Sequence, residues 1–209
     1  VLDPYWFTTT RSAKGNGPWG RTLGTEQYQW LAKTLERSNA TFKFVFIHNL
    51  VGGFVPSMRG GAEAAKYFEW GGYDQDGRYA FDEQRPGWFA PIHALFKRHG
   101  VNIVFHGHDH FFARQELDGV VYQLVPQPAH AGGRDVARMA TEYGYASGDF
   151  LPSPGYVRVK VDSGTTTVSY IRTLLATAGS SDGRVPEVAF EYRLSAGGNT
   201  VATGENREQ

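Results

Sequence analysis

The sequence predicts an α/β chain, on three observations. Apolar runs of strand length alternate with helical periodicity through the first half, two of those runs end on histidine, and period-two hairpin patterns follow them.

After a Gly-rich loop (Lys14 to Gly20), Thr25 is placed as an N-cap, with Glu26 in the first turn where the helix dipole favours an acid. Leu31 and Leu35 recur at helical spacing beside Trp30, which gives a helix over Glu26 to Arg37. Phe42 to Ile47 is aromatic and β-branched, a buried strand that ends on His48 and a loop, Asn49 to Gly53. Ligands gather beyond the carboxyl ends of strands in α/β folds, so His48 is a candidate ligand. A short helix is expected near Ala62 to Phe68, then a Gly/Asp-rich turn. Its Asp74-x-Asp76-Gly77 fragment lacks the regular oxygen ligands and closing Glu of a calcium loop. Trp88 to His99 reads as a helix burying Ile92, Leu95 and Phe96, closed by Gly100, with His93 and His99 on its surface.

Val101 to His110 is the most informative stretch: an apolar strand running into His106, His108 and His110, three of the chain's seven histidines. In an extended segment, residues two apart share a face, so the three imidazoles are expected on one side and Asp109 on the other. Neutral imidazole is the commonest protein ligand for zinc, iron and related divalent metals, which makes this a candidate metal site. Asp118-Gly119 then marks a hairpin between a strand to Glu116 and a strand over Val120 to Val125. Ala129 to Pro154 is read as a long covering loop from which His130 could reach the site. Tyr156 to Val161 and Thr167 to Arg172 form a second hairpin, and Val188 to Leu194 adds an edge strand. The chain thus divides into a folded portion over residues 1–194 and a polar tail over 195–209 that frays.

Composition narrows the chemistry. The 209 residues suffice for one cored domain, and 21 Lys+Arg balance 21 Asp+Glu, which leaves no basic field for nucleic acid. Cysteine is absent, which excludes disulfides, thiolate zinc sites and a Cys nucleophile. No apolar run approaches the roughly 18 residues of a membrane-spanning helix. The lack of cysteine and the many Gly-rich loops suit an exported protein without fixing its compartment.

Leu23-Gly24-Thr25-Glu26-Gln27 leading to Trp30-Leu31, then Phe44 to His48, then Gly107-His108-Asp109-His110, and finally Asp118 to Tyr122, occur in an order that resembles the C-terminal half of the calcineurin-like metallophosphoesterases. The resemblance covers about Val1 to Arg172. It implies part of a β-sandwich flanked by helices, with the N-terminal half missing, and a centre of two divalent ions (iron, manganese or zinc) at its edge. By that likeness His48 and His108 bind one metal and His110 the other, while a metal-activated water hydrolyses a small phosphomono- or diester. His106 departs from the family, whose residue at this point is small or polar; it supports the ligands, contacts substrate or packs beneath the loop.

The first half of the family's motif set is not recognisable in the chain: the Asp-x-His, the Gly-Asp with its bridging aspartate, and the Gly-Asn-His. Without the bridging carboxylate, two cations are held only by neutral imidazoles, so the isolated chain is expected to be inactive or impaired. An exposed apolar face then favours self-association, or pairing with the missing half, over a compact monomer. Two other readings need no missing half. One is a mononuclear zinc enzyme using His106, His108 and His110, or two of them with His48. The other is a non-catalytic binding fragment, in which Trp6, Trp19, Trp70, Tyr73 and Trp88 line a carbohydrate or protein contact.

Overall fold

In the computed structural model, residues 1–8, 17–54, 58–129, 135–173, 187–196 and 200–202 are described. His130 and the Gly-rich residues before Gly17 lie outside them. Helix α1 (Thr25–Arg37) forms where Tyr28, Leu31 and Leu35 recur on one buried face. Fully burying side chains of this kind is worth about 1.5–3 kcal/mol each. Its N-cap is Gly24, not Thr25: the chain enters at φ 76°, and a side chain at Gly24 would run into the Phe7 ring. The next helical pattern breaks into a 3-10 turn (Ala62–Lys66) and the short α2 (Phe68–Gly71), because Tyr67 is extended and Phe68 has φ 50°. After α3 (Phe81–Gln84) comes α4 (Ile92–His99), which starts after its N-cap Pro91 and not at Trp88. Gly100, at φ 65°, closes it in the left-handed conformation that glycine adopts readily. Helix α5 (Val136–Glu142) is capped by Asp135, whose side chain accepts from the Arg138 N–H. It lies within what the sequence marks as a long loop.

Two sheets carry the fold. The first comprises β1 (Phe44–Ile47), β2 (Ile103–His106), β3 (Phe112–Leu117), β4 (Val120–Leu124) and β5 (Asp149–Leu151), in the spatial order β1-β2-β4-β3-β5. Strands β1, β2 and β4 are parallel, and β3 returns antiparallel through Asp118 (φ 52°) and Gly119 (φ 79°). Positive φ at both positions is the signature of the tight hairpin expected there. The second sheet runs in sequence order: β6 (Gly155–Val161), β7 (Thr165–Arg172), β8 (Glu187–Ser195) and β9 (Thr200–Ala202). Strand β8 is therefore interior and not an edge, because β9 pairs with it from within the expected tail.

Alternation along the strands builds two cores. Val45, Ile47, Val104 and Tyr122 pack with Leu31, Leu35, Leu95 and Phe96 of the helices. Ile103, Phe105 and Val121 face the other way, against Val168, Tyr192 and Leu194 of the second sheet. The result is a mixed α/β architecture, a sandwich of two sheets with helices on one outer face. Among the described residues, no helix is long and apolar enough to cross a membrane. Trp19 and Trp70 belong to buried clusters, which withdraws them from the surface contact considered for them.

Candidate metal centre

The parallel register that pairs Ile47 with His106 brings the C-terminal ends of β1 and β2 side by side. One step further, the Gly107 N–H donates to the His48 carbonyl at 2.8 Å. The two loops leaving the sheet are thereby tied at their first residues. The His48 Nε2 and the His108 Nδ1 then approach to 3.2 Å, with ring planes at 75°. Two imidazole nitrogens bound tetrahedrally to one zinc at about 2.0–2.1 Å lie roughly 3.3–3.4 Å apart. The observed spacing therefore suits a shared cation, and equally a hydrogen bond between the rings in its absence. Burial, followed by the charges of His108 and His110, holds the His48 pKa below its ordinary value. That favours the neutral form a metal requires.

The three alternating histidines do not share a face. His106 is the last residue of β2 and is 2% exposed, whereas His110 is exposed. Parity is lost because His108 (φ 81°) and His110 (φ 64°) both leave the extended region for left-handed backbone. Burial pushes the His106 pKa down to about 4, and its Nε2 has no hydrogen-bond partner among the described residues. A zinc site of His106, His108 and His110 is thus not assembled. Asp109 does turn away from its neighbours, but through this turn and not through an extended segment.

The surroundings of the pair include residues without a sequence signal. The Tyr5 ring lies 5.8 Å from His48 and its hydroxyl donates to the Asn49 Oδ1 at 2.9 Å. An open cleft of about 580 Å³ runs beside His48 between Val1 to Tyr5 and the strands, lined by Phe46, Ile47, Phe105, His106 and Val125. Phe46 is 46% exposed there, while the Leu2 N–H donates to its carbonyl and occupies part of the β1 edge. On the other side, Asp109 is 2% exposed and accepts from Arg59 Nη1 (2.8 Å), the Gly60 N–H (3.0 Å) and the Tyr145 hydroxyl (2.8 Å). Ser153 donates to the His110 carbonyl at 2.6 Å. Arg59, Tyr145 and Ser153 are distant in sequence, and only the fold brings them here.

Other candidate ligands are engaged elsewhere. His93 is largely buried, its Nδ1 2.8 Å from the Tyr122 hydroxyl and its Nε2 3.5 Å from Asp118, so it is not a surface residue of α4. Asp74 accepts from Trp19 and Arg78, and Asp76 from the Arg78 N–H, which makes the Asp-rich turn internally bonded. Among the described residues, no three His, Asp or Glu side chains are grouped to hold a cation by themselves.

No family model matches the chain, and no curated protein matches it. Among solved structures, it is similar to a purple acid phosphatase from yellow lupin (Lupinus luteus) seeds, with 17% identity and a TM-score of 0.39 over 82% of this chain. The chain spans 28% of that phosphatase's length. A single mutant of Vps29 from Entamoeba histolytica is similar at 13% identity and a TM-score of 0.24, over 84% of this chain and 89% of that one. Neither likeness bears on what the His48–His108 pair does.

Proposed function

We propose that the chain contributes the imidazole side of a divalent-metal centre in a phosphoester hydrolase, with His48 and His108 on one cation and His110 offered to a second. The spacing of the His48 and His108 nitrogens carries this reading. Iron, manganese and zinc all accept such ligands. When bound, the metal polarises phosphoryl oxygens and makes hydroxide available near neutral pH. The chain's part is to hold the imidazoles in a fixed relation: Gly107 bonds the His48 carbonyl, and Ser153 bonds that of His110.

Asp109, the acid nearest the histidines in sequence, is spent on Arg59, Gly60 and Tyr145 and does not act as a bridge. Carboxylates that complete the centre then come from outside the described residues. Zinc titration followed by calorimetry tests the reading. We expect weak binding of no more than one zinc per chain, at least tenfold weaker in His48→Ala, with little or no p-nitrophenyl phosphate turnover. Binding identical in wild type and His48→Ala would remove the basis for the proposal.

A further inference from the structure

We infer that Asp109 is a positioning residue, a buried lock that sets the backbone on which His108 and His110 are presented. Left-handed backbone is uncommon for residues with a side chain, and here two such residues flank Asp109, at φ 81° and φ 64°. A conformation of this kind persists only where its surroundings over-determine it. The Asp109 carboxylate supplies that determination. One oxygen accepts from Arg59 Nη1, and the other accepts from both the Gly60 N–H and the Tyr145 hydroxyl.

The three donors come from two places. Arg59 and Gly60 belong to the loop after β1, whereas Tyr145 follows α5. Arg59 is itself braced, its guanidinium 4.0 Å above the Tyr143 ring. Glu63 fixes the far side by accepting from the N–H groups of Ala146 and Ser147, so the loop carrying Tyr145 is bonded to the 3-10 turn that follows Gly60. Anchoring Asp109 inward leaves the imidazoles on either side of it pointing elsewhere, His110 into solvent and His108 onto His48. Groups that orient metal ligands without touching the metal commonly change affinity 10–100-fold when removed.

The positioning role presupposes the metal-centre reading, but the lock itself does not. Nitrogen-15 correlation spectra of the imidazoles in metal-free full chain test the lock through Tyr145→Phe, which removes one hydroxyl 36 positions from Asp109. We expect the His108 and His110 signals to shift or broaden while those of His99 stay in place. Unchanged signals for both, with an unchanged melting temperature, overturn the lock whether or not the wild type binds metal. The role is then read from zinc affinity. Asp109→Asn turns one accepting oxygen into a donor facing donors, and we expect at least a tenfold loss, with a smaller loss in Tyr145→Phe should Asp109→Asn fail to fold. Zinc affinity unchanged in the folded variants overturns the positioning role. A wild type that binds no zinc refutes the metal-centre reading, and with it the positioning role, while the spectra still decide the lock.

Discussion

The Nε2 of His48 and the Nδ1 of His108 stand 3.2 Å apart, although 60 positions separate the two residues in sequence. The parallel pairing of β1 with β2 explains this: with Ile47 opposite His106, the next residues on both strands leave the sheet together. The Gly107 N–H on the His48 carbonyl keeps the two loops from parting. A contact made this way is a property of the sheet, not of two flexible side chains.

Because the two rings are proposed to share one cation, their deletions should not add. His48→Ala and His108→Ala are each expected to weaken zinc binding by 10-fold or more, and the double variant by little beyond the worse single. Isothermal titration of the four proteins measures this. Fully additive losses would place the rings on different cations.

The neutral state of His93 gives a pH dependence with a definite sign. The Trp70 indole N–H can only donate, so the Tyr122 hydroxyl accepts from it at 2.9 Å and passes its own proton to the His93 Nδ1 at 2.8 Å. Protonating His93 would turn that acceptor into a donor. Burial holds the His93 pKa below 6.5 despite Asp118, so the unfolded chain takes up the proton first as the pH falls. The contribution is therefore complete above about pH 6.5 and declines below it. Urea midpoints at pH 7.5 and 5.5 should fall more for wild type than for His93→Gln; equal falls would dismiss the linkage.

Much of the fold was legible in the sequence, and the reasons lie in particular residues. Leu31 and Leu35, the Phe44 to Ile47 run and Asp118-Gly119 are local signals, each satisfied within its own element. The placing of His48 and His108 at strand ends followed from the same local patterns. Parity failed at His108 and His110 because a strand rule was carried past the strand's end at His106, where Arg59, Gly60 and Tyr145 dictate the backbone instead. Those partners lie 36 to 50 positions away from Asp109 and carry no motif. Strand β9 escaped notice for a related reason: Thr200–Ala202 is too short to show a period, and only the neighbouring edge of β8 gives it a place.

Glu69 is fully buried and accepts from Arg85 Nε, Thr22 Oγ1 and the Leu23 N–H at 2.6, 2.6 and 2.8 Å. Burial pushes its carboxyl pKa up, and Arg85 leads the groups that pull it back down. Arg85 lies between the Trp19 and Trp88 rings, so its charge cannot easily return to water. Removing one member of a buried pair typically costs about 3–5 kcal/mol. Glu69→Ala is expected to lose that much in urea denaturation at pH 7, and Glu69→Ala with Arg85→Ala less than the sum of the singles. A loss under about 1 kcal/mol for the single change would show that water replaces the carboxylate.

Gly155 opens β6 where the two sheets meet. A side chain there would overlap the Tyr170 ring, lie against the Ile171 carbonyl and come within 2.8 Å of the Tyr170 hydroxyl. Tyr170 has no room to yield: its ring stacks on Phe112 at 4.7 Å, joining the sheets, and its hydroxyl donates to the Pro152 carbonyl at 2.6 Å. Backbone oxygen cannot step aside as a flexible side chain can. Gly155→Ala is therefore expected to destabilise by about 1–3 kcal/mol, the usual cost of overfilling a packed site. Gly164, in the turn between β6 and β7, has none of the described residues within 4 Å of the equivalent position, and Gly164→Ala should stay within about 0.5 kcal/mol of wild type. Thermal melts of the two variants side by side decide the matter, since equal effects would mean that the Phe112–Tyr170 contact tolerates displacement.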